Sequence, residues 1–258
     1  MAKYMKRIGI FLIVFFAVVD CAYALKVSQH METSIGVFDA CKQTLIYSFD
    51  NNSGYDIKTT LETTGTFGTL YPFKAMYNTV GEYKGLKLKP LSYFQTAQSR
   101  FNYRTKKIVY EKGVPQYRVS TKNQKKRQDN IVVDNSYEQS IDLLSVFGVL
   151  IEQIKNNHTC DLQSYSFNGK RYSKSTVATI GEEEIATKYF FGKALKCKYL
   201  LEILDDATAG FMLNKEEPIY FWVLNDKATK APFVAKVSVE NTPFGKLESI
   251  TTKVEAIK

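Results

Sequence analysis

Histidine is nearly absent: only His30 and His158 occur in 258 residues. They lie far apart in the chain, and no CxxC, HxH or HExxH spacing accompanies them. Protein zinc sites draw on Cys and His clusters at such spacings, so no metal site is expected. The chain also lacks GxSxG, GxxxxGK[ST] and an SxxK joined by a KTG. Those patterns mark nucleophile elbows, phosphate loops and penicillin-binding enzymes. No residue is therefore assigned a catalytic role, and no cofactor is expected. A carboxylate pair for glycoside hydrolysis cannot be singled out among 26 acidic residues by sequence.

Long apolar runs are missing as well. Ile8 to Val19 is apolar or glycine throughout but is short for a bilayer span of about 20 residues. It follows Lys3, Lys6 and Arg7 and precedes Ala22-Tyr23-Ala24. A positive n-region, an apolar h-region and an A-x-A site together describe a secretory signal peptide. The expectation is a signal peptide over residues 1–24, cleaved after Ala24, and a single exported β domain over residues 25–258. Asp20 stands before Cys21, where a lipid-attachment site wants a small neutral residue, so no lipid anchor is expected. Loss of Lys3, Lys6, Arg7 and Asp20 removes a net +2 from +9, leaving +7. A basic exported chain is suited to peripheral contact with anionic headgroups or surface polymers.

Aromatic residues, by contrast, are plentiful: 17 Tyr and 17 Phe. They favour strands, where flat rings pack across a pleated surface. Residues 25–43 show no clear period, and β signals dominate from Thr44 onward. Turn residues punctuate the chain at Asn51-Asn52-Ser53-Gly54, at Gly113-Val114-Pro115 and at Thr242-Pro243. Asn168-Gly169 separates SYSF from KRYS and is a strong hairpin signal. The acidic run Glu182-Glu183-Glu184 reads as a surface turn. In APFVAKVSVE, Phe233, Ala235, Val237 and Val239 share one face of a half-buried strand.

One segment breaks the alternation. Leu143, Phe147, Leu150 and Ile154 recur at helical spacing. The pattern predicts an amphipathic helix over 136–156, capped by Ser136 with Gln139 or starting instead at Asp142. The basic run 121–130 reads as a solvated hairpin tip rather than a phosphate site. It lacks the interleaved aromatics of a single-strand binding platform, and export also argues against a nucleic-acid partner.

Three cysteines remain after cleavage: Cys41, Cys160 and Cys197. In an oxidising compartment, Cys160 and Cys197 suit a cross-strand disulfide closing a loop of about 38 residues. The rival is His158 acting as base to a Cys160 nucleophile, since residues i and i+2 of a strand share a face. Nothing in the sequence supplies the lowered thiol pKa that this needs.

The succession DLLSVFGVL, a cysteine, YSFNGKRY, KCKY, AGF, and IYFWVL with a downstream TPFG resembles the bacterial domain of unknown function 3108 family. YDIKTTLETTG and KPLSYF fit its N-terminal half, so the likeness covers roughly residues 44 to 255. Asn168 replaces the family's usual aspartate in the hairpin. The resemblance implies periplasmic export, an antiparallel β-barrel or strongly curved sheet, and a cysteine pair that supports the Cys160–Cys197 bridge. It implies no activity and carries no catalytic residues.

The fold expected is therefore all-β: ten or more antiparallel strands, closed or nearly so, with one packed amphipathic helix. The leading functional expectation is a non-enzymatic periplasmic protein that binds a lipid or other hydrophobic ligand. The alternatives are an envelope assembly factor with a protein partner and, third, a hydrolase acting on cell-wall or surface polymers.

Overall fold

A computed structural model describes residues 25–50, 53–131, 139–204 and 217–257. The expected signal segment with Ala22 and Ala24 lies outside them, as does Ser136. The first half of the chain forms β1 (Leu25–Ile35), β2 (Phe38–Phe49), β3 (Gly54–Thr63), a short helix α1 (Gly65–Leu70), β4 (Phe73–Lys84), β5 (Lys87–Ser99), β6 (Tyr103–Glu111), β7 (Val114–Lys122) and β8 (Lys125–Asn130). The second half opens with helix α2 (Leu143–Asn157). It continues with β9 (Leu162–Phe167), β10 (Tyr172–Ala186), β11 (Phe191–Ile203), β12 (Ile219–Asn225), β13 (Pro232–Thr242) and β14 (Gly245–Ile257).

All fourteen strands join one antiparallel sheet in the order β8 to β1, then β14 down to β9. Each half is a meander of sequential neighbours, the usual result of short connections. The halves meet where β1 pairs with β14. Residues 25–43, aperiodic in sequence, therefore form β1 and the start of β2 at the centre of the sheet. Their alternation is hidden because bulges interrupt β1 at His30/Met31 and Thr33/Ser34, and because polar Ser28 and Gln29 are buried there.

The sheet curves strongly but does not close, so of the two expected forms it is the curved sheet. β8 and β9 stay unpaired with each other. The wings meet through side chains instead. Phe167 and Tyr172, stacked with ring centroids 4.5 Å apart, pack with Tyr93, Ile108 and Tyr110 of the opposite wing. Lys106 Nζ donates to Asn168 O at 2.6 Å, and Arg118 donates to Gly169 O. The β9 edge is covered by Ile141, whose N–H donates to Tyr165 O and whose carbonyl accepts from Phe167 N. The β8 edge carries Lys125, Lys126 and Arg127, charges that discourage strand addition.

Several turns follow their local chemistry. Asn123 and Gln124 both have positive φ, as a two-residue hairpin turn of the basic run requires. The Asn168-Gly169 hairpin forms, but its turn spans 168–171. Asn168 Oδ1 accepts from the backbone N–H groups of Lys170 and Arg171. Glu182, Glu183 and Glu184 are not a turn. They lie within β10, which bends to its partner only at residues 187–190. Lys193 and Lys196 of β11 pair with Glu182 and Glu183, so the acidic run is a stretch of strand exposed on both faces.

Helix α2 lies in the concavity of the sheet. It starts at Leu143 rather than 136, because residues 140–142 run beside β9 and Asp142 is the N-cap. At its other end His158 adopts a left-handed conformation, φ 54°, and donates its N–H to Ile154 O. Val149, Ile151 and Ile154 are buried against the two wings. Gly148 allows the close approach. A Cβ there would stand 2.7 Å from the terminal methyls of Ile57 and Leu88. Those methyls can yield to one carbon but not to a branched side chain. Gly148→Ala is expected to change stability by less than about 1 kcal/mol, because gained helix propensity offsets crowding. Gly148→Leu is expected to cost about 2–3 kcal/mol by overpacking; urea unfolding of the two variants measures both.

Candidate functional site: an apolar cavity and the polar anchor of its helix

The concave face is filled unevenly. Where the wings meet it carries large aromatics, and Tyr55, Tyr93 and Tyr110 from one wing and Phe167 from the other pack it solidly. Near β1 and β14 it carries small side chains: Thr33, Thr59, Ser249 and Val177. There the helix does not reach the sheet, and a cavity of about 490 Å³ remains. Its walls are chiefly apolar. Met31, Leu45 and Leu61 come from β1 to β3, Phe221 and Val237 from β12 and β13, and Phe147 and Leu150 from α2. Its volume falls within the roughly 300–1,000 Å³ of small-molecule pockets. The polar wall groups mostly bond one another: Gln43 Nε2 donates to Thr59 Oγ1 at 3.0 Å, and Thr33 Oγ1 to Ser249 Oγ at 2.9 Å. Half-exposed Leu143 lies at the rim. The cavity offers shape and apolar contact. Its wall brings no acid, base and nucleophile together.

Cys41, the cysteine left without a partner in sequence, is reduced and lines this cavity. Burial pushes its thiol above the usual range, and a hydrogen bond with Thr33 opposes the shift only in part. A raised thiol is a poor nucleophile at neutral pH.

The start of α2 is held by a buried polar cluster. Asp142 Oδ1 accepts the N–H of Ser145 at 3.0 Å. Its Oδ2 accepts from Ser145 Oγ at 2.6 Å and from Thr79 Oγ1 at 2.8 Å. The Tyr55 hydroxyl bonds Ser145 Oγ at 2.8 Å. Tyr110 OH is buried nearby with no partner among the described residues. Asp142 is itself fully buried, and desolvation raises its carboxyl pKa, outweighing the hydrogen bonds that lower it. Burial, with the Asp142 charge second, pushes Tyr93 and Tyr110 upward in turn. The sequence offered Asp142 as a rival helix start. Its place at the centre of a network with Thr79, 63 residues away, had no local signal.

Cys160 and Cys197 form a disulfide with Cα atoms 6.1 Å apart, within the usual range of about 4.4–6.8 Å. Both sulfurs are fully buried beside Val177 and Phe221. A bridged Cys160 has no thiolate to offer, so His158 has no nucleophile to activate; His158 serves as the helix cap. Among the described residues no three His, Cys, Asp or Glu side chains converge as metal ligands.

Two expectations follow. For Asp142, a folded pKa above the unfolded one means that its stabilisation is present at low pH and is lost as pH rises through the raised folded value. Asp142→Asn is therefore expected to flatten the fall in stability from acid to neutral pH. Asp142→Ala, removing the acceptor shared by the Ser145 amide and the Ser145 and Thr79 hydroxyls, is expected to cost about 2–3 kcal/mol throughout. Urea unfolding from pH 4 to 8 separates the two. Replacing both bridged cysteines by alanine is expected to cost about 4 kcal/mol, the chain-entropy value for a loop of this length; chemical denaturation with and without reductant measures it.

Comparison with known families places this architecture. Residues 29–249 match the family described as Protein of unknown function (DUF3108), a span reaching from β1 into β14. No curated protein matches the chain. The match covers most of the sequence and includes both bridged cysteines, α2 and the strands around the cavity, and the chain belongs to the DUF3108 family.

Proposed function

We propose that the protein is a non-enzymatic periplasmic binder of a lipid or other hydrophobic ligand, held between α2 and the concave sheet. The cavity of about 490 Å³ carries this reading. Protein interiors are close-packed, with few voids larger than a water molecule. An apolar space of this size beside a half-exposed leucine is a poor site for water and a good one for an alkyl chain. The N-terminal sequence and the buried disulfide support export to an oxidising compartment.

The purified protein, extracted into organic solvent and analysed by mass spectrometry, is expected to release a stoichiometric apolar molecule. Leu61→Trp, which fills the space from the edge of β3, is expected to abolish that release while the protein stays folded. Occupancy also shields Cys41: maleimide labelling is expected to be slow in the protein as purified and at least ten-fold faster after delipidation. An extract without ligand, together with labelling that is the same before and after delipidation, would rule the reading out.

A further inference from the structure

The turns at one end of the sheet carry an exposed apolar rim. Val37 is 90% exposed, Phe101 79%, Tyr71 68% and Phe244 57%. These residues come from four separate connections, yet the connections touch in series. Gly36 N donates to Lys246 O at 2.8 Å, joining the β1–β2 and β13–β14 turns. Phe244 packs edge-on to Phe67 of α1, with ring centroids 6.1 Å apart. Arg100 donates to Thr69 O at 3.1 Å, joining α1 to the β5–β6 turn. Tyr103 N donates to Asn123 Oδ1 at 3.0 Å, reaching the β7–β8 turn. The rim is thus one continuous border rather than scattered side chains.

The same end holds the near wall of the cavity. Thr33, Leu61 and Leu247 line it and lie within a few residues of these turns. From Leu61 the concave face continues strand by strand through Ala75, Ala97, Arg104, Lys122 and Lys125 as successive cross-strand partners. Three cations therefore stand side by side in one row. Like charges directly opposite each other on antiparallel strands are destabilising. None of the three makes an ion pair among the described residues. Elsewhere in the sheet Lys42 stands directly opposite Glu32 and Lys74 directly opposite Glu62, each in an ion pair.

We infer that this end of the sheet docks on an anionic lipid bilayer, with the apolar turns inserted at the headgroup boundary and Arg104, Lys122 and Lys125 facing lipid phosphates. Large apolar side chains on projecting turns, bordered by a row of cations, suit a surface that is apolar inside and negative outside. The inference extends the cavity reading by naming the surface from which the ligand arrives, and docking and loading are measured separately so that each can fail alone.

The experiment is vesicle co-flotation of the full mature chain at low salt. Vesicles of phosphatidylglycerol with phosphatidylcholine are compared with phosphatidylcholine alone. The protein is expected to float with the anionic vesicles and at least ten-fold less with the neutral ones. The triple variant Val37→Asp, Phe101→Asp, Phe244→Asp changes only exposed side chains, so folding is retained and checked by circular dichroism. It is expected to lose at least ten-fold in binding. Arg104→Gln, Lys122→Gln, Lys125→Gln is expected to remove the preference for anionic vesicles. Leu61→Trp is expected to dock normally while failing to take up a pyrene-labelled lipid. Docking without lipid uptake by the wild type would leave this inference standing and remove the cavity reading. Loading from detergent without flotation would do the reverse. Equal flotation of the aspartate variant would overturn the docking surface. So would a wild-type dimer that the aspartate variant abolishes, in the absence of vesicle binding, since the rim would then be an interface between copies.

Discussion

One apolar helix inside one curved sheet is the constraint on which the remaining structure depends. The sheet has fourteen strands, and among the described residues its two edge strands, β8 and β9, do not pair with each other, so the backbone ladder does not close it. Its concave face would present Ile57, Leu45, Val177 and Phe221 to water without a cover. Burying α2 there removes apolar surface from both partners at once, the dominant favourable contribution in folding. The wings then curl until Phe167 and Tyr172 reach Tyr93 and Ile108. Curvature is thus set by what the concavity has to enclose. Gly148 sets how close the helix comes on one side, and small residues such as Thr33, Thr59 and Ser249 leave it distant on the other. The solid region and the cavity are two outcomes of the same packing, decided by side-chain volume.

The polar cluster at the helix start acts against the stability that the packing supplies. A carboxyl removed from water is costly unless its charge is compensated, and around Asp142 the compensation comes from hydroxyls and one amide rather than a cation. What the cluster provides is position. Thr79 on β4 and Ser145 on α2 share one acceptor, so the helix begins at a defined height above the sheet. An apolar stripe alone permits sliding by a turn; a shared, directional acceptor does not. The cavity keeps its shape because Phe147 and Leu150, its helical wall, follow from that starting point within two turns.

The sequence is informative where the local chain decides. APFVAKVSVE appears as a strand, β13, but a bulge divides its expected single apolar face: Phe233 and Ala235 pack with Trp222, while Val237 faces the cavity beside Phe221. The stripe Leu143, Phe147, Leu150, Ile154 appears as α2. Cys160 and Cys197 form the disulfide. It misleads where a tertiary partner overrides the local signal. Ser136 with Gln139 has the pattern of a helix start, yet Ile141 is drawn to the edge of β9 and the helix waits until Leu143. Glu182 to Glu184 has the composition of a turn, but lysines across the strand pair make it a ladder. The first strand has no legible period because bulges shift its faces partway along.

By itself the sequence determined the fold class, the amphipathic helix α2, the family and the cysteine pairing, since these rest on periodicity, composition and motif order along the chain, whereas the short helix α1 carried no such pattern. Only the tertiary structure decided that the sheet stays open, that β1 sits at its centre beside β14, that a cavity survives beneath α2, and that the turns of one end form a continuous apolar rim beside a row of cations. Each of these is a relation between residues distant in sequence. A void is the volume left after many side chains have packed, and a row of cations is the product of register across several strands. Neither quantity is carried by any one segment of the chain.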